Sequence, residues 1–454
     1  MSSFPPRRGR AAPTHSADTP GHVGVRLLVS LAIVLLAPAA GFAHSNLQDV
    51  GTTPGVGLQL SFSGPVEQAF LRVTGRDGVA IRASVDPADD QTVVVPRSTD
   101  AGPVHWRVLS RDGHVTVGTS DGTRGTTRQG AISIAADALG FVGLLGLIGL
   151  IAVRFLVLAP AWRTGGMRPP GASGIDDWHQ VIAPSLERGL AAWWRTWWSF
   201  SATAAVGVGL AAVGLLAELD SSDIGALVGT RWGVAWVIQG ASLGVIAGLG
   251  AHLGRSSLRT EPDLNRAWGY ALAIPLGLAA GAIAWTSHAS SGTDAAIGIG
   301  LDAIHLWATG IWLGGLGALI AIVPLARRQP ESSDVTRFSA AVVVRFSTVA
   351  IVCVATLIVT GIYRAIAELR GFADLVDTGY GQALLVKLIV FAVLLAGGAY
   401  NRLVLHPRLE RAALGLSPSD RGAGQALRIS MTAEIMVATV LLVIVAVLVN
   451  LPPP

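Results

Sequence analysis

The sequence predicts a small all-β sandwich followed by an all-α polytopic membrane domain of about eight transmembrane helices. Three observations carry this. Hydrophobic residues make up 51% of the 454-residue chain and charged residues 14%, against roughly 25% charge in soluble domains. Residues 44–125 lack long apolar runs and alternate apolar with polar positions instead. From about residue 132 onward, eight apolar runs are each long enough to cross a bilayer.

The N-terminus reads as a secretory signal peptide over residues 1–43. Residues 1–26 are polar and carry Arg7, Arg8, Arg10 and Arg26. "LLVSLAIVLLA" (27–37) follows, too short for a membrane span, and then small Gly41 and Ala43 at the −3 and −1 positions of a cleavage site. The Arg7–Arg8 pair lies too far from the apolar run for a twin-arginine signal. Cleavage after Ala43 makes His44 the first residue of the mature protein, with a free α-amine and an imidazole on one residue. Left uncleaved, the leader is an anchor and His44 an ordinary surface residue.

Residues 44–125 then show period-two alternation: Leu58, Leu60 and Phe62; Val93 and Val95; Val104, Trp106 and Val108; Val115 and Val117. Turn signals separate these runs, which is the signature of a β-sandwich. Trp106 is expected in the core, and His105 on the opposite, solvated face. "DGTRGTTRQG" (121–130) reads as a linker to a helical domain over 131–454.

The eight apolar runs lie near 132–158, 196–217, 232–252, 267–286, 298–324, 340–363, 381–401 and 429–450. With the β domain outside, the first span runs inward and the loops alternate. The expected inside loops then hold fifteen arginines and the outside loops only Arg231, Arg364 and Arg370, with Glu368 among the outside acids. This bias obeys the positive-inside rule. It predicts a multi-pass protein of the cytoplasmic (inner) membrane with both the N-terminal β domain and the C-terminus extracytoplasmic. The net charge of +4 thus reflects cytoplasmic loops and not nucleic-acid binding. "WWRTWW" (193–198) is expected at the inner interface, as an aromatic belt. The single cysteine, Cys353, excludes a disulfide framework within one chain and reads as a small core residue.

"RVLSRDGHVTVG" (107–118) is the sharpest stretch of the β domain. In extended chain Asp112 and His114 point the same way. Alone, D-G-H is a common turn. Together with an N-terminal His44 it supplies an amine nitrogen, two imidazole nitrogens and a carboxylate oxygen, a set that suits Cu(II).

The leader ending in Ala-His, "LSFSGPV" (60–66) and "VHWRVLSRDGHVTVG" (104–118) resemble CopC, a periplasmic copper-binding protein. "HLWATGIWLGGLGAL" (305–319), "TGIYRA" (360–365) and "LLVKLIVFAVLLAGGAYNRLVLHPRL" (384–409) resemble CopD, its inner-membrane partner. The chain as a whole is similar to CopC–CopD fusion proteins. The resemblance implies an Ig-like, CopC-type sandwich whose Cu(II) ligands are His44, Asp112 and His114. Two departures stand out: the chain begins His-Ser where the family usually has His-Ala, with a shortened first segment, and residues 44–125 hold no methionine. The resemblance therefore implies a Cu(II) site without a methionine-rich Cu(I) site.

In the membrane domain, ionisable residues are costly and point to function. Asp302 and His305 are three apart, hence on one helix face, and Thr309 and Trp312 continue that stripe. With His288 at the outer end of the fourth span they form an outer-facing metal intake site; the alternative is a His305–Asp302 hydrogen bond that only fixes helix packing. Lys387, the sole lysine, is expected to pair with a buried carboxylate such as Asp302. Glu434 with Met431 and Met436 marks an inner exit or is plain core. His406 and His179 are expected in the cytoplasm, solvated.

No G-x-x-x-x-G-K-[ST] motif is present, and no catalytic or cofactor-binding residue stands out, so the chain is not expected to be an enzyme. The expected function is copper handling: the outer domain captures Cu(II), and the bundle moves copper across the membrane in import or resistance. Imidazole binds only when neutral, so outer-domain affinity is expected to fall below about pH 6. Alternatives are a delivery or sensing module for cuproenzyme assembly without translocation, and a haem- or quinone-binding redox protein, the latter short of histidines at matching depth. Expected partners are the copper ion, the lipid bilayer, and periplasmic copper donors or cuproenzyme assembly factors.

Overall fold

The computed structural model describes residues 47–53, 57–62, 64–96, 102–109, 115–120, 125–128, 131–164, 175–216, 224–256, 266–287, 295–323, 333–416 and 422–449. Nine strands come first: β1 (Leu47–Thr53), β2 (Gly57–Phe62), β3 (Arg72–Thr74), β4 (Ala80–Ile81), β5 (Ser84–Asp86), β6 (Asp89–Val95), β7 (Val104–Leu109), β8 (Val115–Ser120) and β9 (Gly125–Arg128). They form two antiparallel sheets, β1-β2-β6-β5 and β4-β3-β7-β8-β9, packed as a sandwich.

Alternation along the strands sets the core, because successive side chains in a strand face opposite ways. Leu58, Leu60, Phe62, Val93, Val95, Val104, Trp106 and Val108 are all buried in one cluster. His105 is exposed, as alternation requires. Phe62 and Trp106 meet edge to face across the sandwich, 5.0 Å between ring centres. Strand β8 departs from the expectation. Val117 is 37% exposed, while Thr116 and Ser120 are buried. The register explains this: Val117 pairs with Arg107 on the outer face, and Gly118 with Trp106. The inner face of β8 is thus small, which leaves room for the indole.

Eight long helices follow among the described residues, each long and apolar enough to cross a membrane. They are α1 (Ala131–Ala152, continued by a π turn Val153–Leu158 and Ala159–Arg163), α2 (Ile175–Leu216), α3 (Arg231–Arg255), α4 (Arg266–Thr286), α5 (Ala295–Thr309, continued by a π turn Gly310–Gly314 and Gly315–Ile322), α6 (Ser333–Glu368), α7 (Gly379–Tyr400, continued by a π turn Asn401–Leu405 and His406–Ala413) and α8 (Ala423–Leu448). Thr230 and Thr378 cap α3 and α7 by accepting from the backbone N–H groups of Gly233 and Gly381, each at 3.0 Å. Such caps satisfy donors that a helix start leaves open.

The α1 span is the most buried of the eight. Small residues let its neighbours approach: a Cβ on Gly149 would lie 2.0 Å from the Gly314 carbonyl carbon, and one on Gly314 2.0 Å from the Leu145 oxygen. Close backbone contact of this kind is how helices associate where no hydrophobic force drives them together. Outward-facing positions such as Ile351, Val352, Val359, Ile389 and Leu403 are exposed and apolar, a surface made for lipid.

The tryptophan-rich stretch is mostly core rather than an interfacial belt. Trp193, Trp194 and Trp197 are buried and only Trp198 is exposed. The reason is Arg154, fully buried in the π turn of α1, whose guanidinium lies 4.7 Å from the Trp193 ring centre. Cation–π contact lets an apolar bundle hold that charge. At the other end, Phe70 and Leu109 of the sandwich pack with Leu215, Leu227 and Trp232. The β domain therefore sits at the end of the bundle where α2 ends and α3 begins. By antiparallel alternation, α4 and α6 also end there and α5 and α7 begin there.

Candidate functional site

Three polar stripes meet at that β-domain end. Helix periodicity places Asp302 and His305 on one face of α5, Thr360, Arg364 and Glu368 at intervals of four on α6, and Tyr380 and Lys387 seven apart on α7. Arg364 joins the stripes. Its Nε lies 3.2 Å from Asp302 Oδ1, and its Nη2 donates to Glu368 Oε1. Tyr380 Oη donates to Glu368 Oε2. Ser287, just past α4, donates from Oγ to Asp302 Oδ2 at 2.7 Å. Lys387 lies within Coulombic range of Glu368, Arg364 and Asp302. Two carboxylates and two cations therefore compensate one another inside the bundle.

His305 sits one turn along α5 from Asp302, and its Nδ1 lies 2.8 Å from Thr360 Oγ1. The Thr360 hydroxyl has one proton, which it donates to the Thr356 carbonyl at 2.8 Å. With the proton so placed, the Thr360 oxygen can accept from His305, in the tautomer that carries the ring proton on Nδ1. The neutral ring then keeps its lone pair on Nε2. This is the arrangement seen in metal-binding histidines, whose second nitrogen donates to a fixed acceptor.

The expected residues fall into two groups. Asp302 and His305 share this polar cluster, but each is bonded to α6 and not to the other. Lys387 joins the cluster, while the ion pair with Asp302 belongs to Arg364. His44, Asp112, His114 and His288 lie outside the described residues. Among the described residues, no three of His, Cys, Asp and Glu converge on a metal position. Arg364, Glu368 and Tyr380 were not expected in a site. Arg364 and Glu368 read as loop charges, but α6 runs through Glu368 and leaves both half-buried. Their spacing of four residues was the available signal.

A second polar site lies near the opposite end of the bundle. Glu434 of α8 is buried and accepts from Asn401 Nδ2 of α7 at 2.5 Å. Gly397, one turn before Asn401, makes room: a Cβ there would lie 3.2 Å from Glu434 Cγ and Oε1. His406 is buried, contrary to the solvated position expected for it. The helix continues through it to Ala413 rather than ending near Asn401, so its ring packs in the bundle. His179 stacks on Trp162, 3.9 Å between ring centres, and its Nε2 lies 3.1 Å from the Trp162 carbonyl. Met431 is core; Met436 faces outward.

Fold and site together define a polytopic membrane protein that carries a β-sandwich at one end and compensated charges within its helices. Residues 48–121 match the family described as CopC domain, and residues 340–448 match Copper resistance protein D. The chain is thus similar to a CopC domain in its β region and to Copper resistance protein D in its last helices. Among curated relatives it is 30% identical over 171 residues to "Copper transport protein CutJ" of Bacillus subtilis (strain 168), covering 38% of this chain and 28% of that protein. It is 28% identical over 233 residues to "Copper resistance protein D" of Pseudomonas syringae pv. tomato, covering 49% of this chain and 69% of that protein. The chain thus spans less than a third of the length of the first of these relatives. No solved structure matches it.

Proposed function

We propose that the chain is a copper-handling membrane protein: its β domain captures Cu(II) outside the inner membrane, and its bundle carries copper through. His44, Asp112 and His114 are the outer ligands in this reading. His305 Nε2 and Asp302, with His288, receive the ion at the β-domain end. The observation that carries the reading is the 2.8 Å contact of His305 Nδ1 with Thr360 Oγ1, in which a proton on Nδ1 leaves Nε2 a ready ligand beside a carboxylate.

Charge balance assigns the neighbours their parts. Asp302, Glu368, Arg364 and Lys387 sum to zero, so an arriving cation meets no net attraction while Arg364 holds Asp302. Swinging Arg364 fully onto Glu368 releases Asp302 and gives the intake site its negative charge. Arg364 is therefore a latch on the intake carboxylate, and Tyr380 keeps Glu368 in place as its second partner.

Copper accumulation tests this. Sealed vesicles carrying the protein are expected to take up copper, and His305→Ala to abolish most of it while leaving Cu(II) on the β domain. Binding without uptake in the unaltered protein identifies a delivery or sensing module instead. A processed protein with no nitrogen-rich square-planar Cu(II) signal sinks the outer site.

A further inference from the structure

The second polar site has unused capacity. Asn401, His406 and Glu434 are 5%, 7% and 8% exposed. Asn401 spends its amide protons on Glu434 and leaves Oδ1 without a partner, and His406 Nδ1 is likewise unpartnered. Buried polar groups without partners are rare and costly, and more so in a membrane. No cation pairs with Glu434 among the described residues; Asn401 is its one hydrogen-bond partner. A charge at this depth with only one neutral partner is poor packing but a good cation seat.

The donors lie on two successive turns of neighbouring helices. Asn401, Leu405, His406 and Leu409 form the buried face of α7, and Met431, Glu434 and Ala438 that of α8. The two helices are neighbours joined by a short connection, hence antiparallel. His406, five residues after Asn401 across the π turn, and Met431, three before Glu434, both lie one turn toward that connection. A π turn shifts the helix face by one residue, which brings both Asn401 and His406 onto one side; such turns recur at functional sites.

We infer that Glu434, Asn401, His406 and Met431 form a second copper site at the end of the bundle away from the β domain, selective for the cuprous ion. A thioether donor favours Cu(I), and imidazole binds copper as well. One carboxylate balances one positive charge, so the loaded site is neutral in the apolar interior. Gly397 leaves room for the Glu434 carboxylate beside Asn401. The site deepens the transport reading, which it rests on for the identity of the metal: copper captured as Cu(II) is first reduced by an external thiol, two Cu(II) and two thiols giving two Cu(I), one disulfide and two protons, and the site adds a release point before the far side.

The test counts bound metal and does not depend on uptake. Full-length protein in detergent, carrying His114→Ala and His305→Ala to silence the other two sites, is loaded with buffered Cu(I), and copper per chain is measured. About one equivalent is expected. Glu434→Gln, which can still accept from Asn401, and His406→Ala are each expected to lower retained copper at least tenfold at limiting metal. Met431→Leu is expected to remove the copper–sulfur contribution from the X-ray absorption spectrum. Unchanged copper in both Glu434→Gln and His406→Ala, with both variants eluting as folded protein, overturns the site. Failed vesicle uptake with these counts intact overturns transport and leaves the site standing.

Discussion

The bundle holds carboxylates at both ends, half-buried at one and buried at the other, and treats them in opposite ways. At the β-domain end, Asp302 and Glu368 are met by Arg364, Tyr380 and Ser287, with Lys387 close by. At the other end, Glu434 has one amide for company. A carboxylate in the membrane interior needs compensation. The first site carries it in its own side chains. The second leaves it to whatever cation arrives. Fixed compensation gives a defined geometry and a latch; the lean site gives capacity.

The largest expected effect breaks the compensated end. Arg364→Ala strips two carboxylates of their shared cation and is expected to cost about 3–5 kcal/mol in thermal unfolding. Arg364→Lys is expected to recover only part, because one ammonium replaces a planar fork that reaches both acids. Glu434→Gln in the same assay is expected to cost about 1 kcal/mol or less, since the bond from Asn401 survives. Equal losses from Arg364→Ala and Glu434→Gln erase the contrast between the two ends.

A smaller effect sharpens it. Thr360→Val keeps the shape of the side chain and removes the acceptor that fixes His305. Copper uptake is expected to fall about 10–100-fold, the usual price of losing such a support, with unfolding changed by about 1 kcal/mol. An unaffected uptake rate removes the tautomer argument. Smallest is Gly397→Ala. The added methyl meets Glu434 at 3.2 Å, and a shift of a few tenths of an ångström is expected to cost about 1 kcal/mol or less while weakening Cu(I) retention at the far site and leaving Cu(II) on the β domain alone.

Much of this architecture is legible in the chain itself. Alternation named the residues of β2, β6 and β7 that fill the sandwich, because a period of two has only two faces to choose from. It misplaced Val117, since facing is decided by what the partner strand offers, and Arg107 sits opposite it. Apolar length found eight spans but stopped them too early. Arg364 and Glu368 read as the start of a loop, and His406 as a residue beyond a helix, because a charged or polar residue ends an apolar run without ending a helix. Arg364, Glu368 and His406 all sit in those overlooked last turns. Arg154 went unnoticed within an apolar run for the converse reason: its partners are tryptophan faces on another helix, and no local pattern announces them.

The crossing of α1 and α5 at Gly149 and Gly314 has a consequence for movement. Where main chain lies on main chain, there are no rotamers to exchange and no interdigitating groups to slide past one another. That crossing is a fixed hinge plate. A rearrangement that swings Arg364 away from Asp302 therefore leaves α5 in place, and the Arg364 side chain and its helix α6 do the moving.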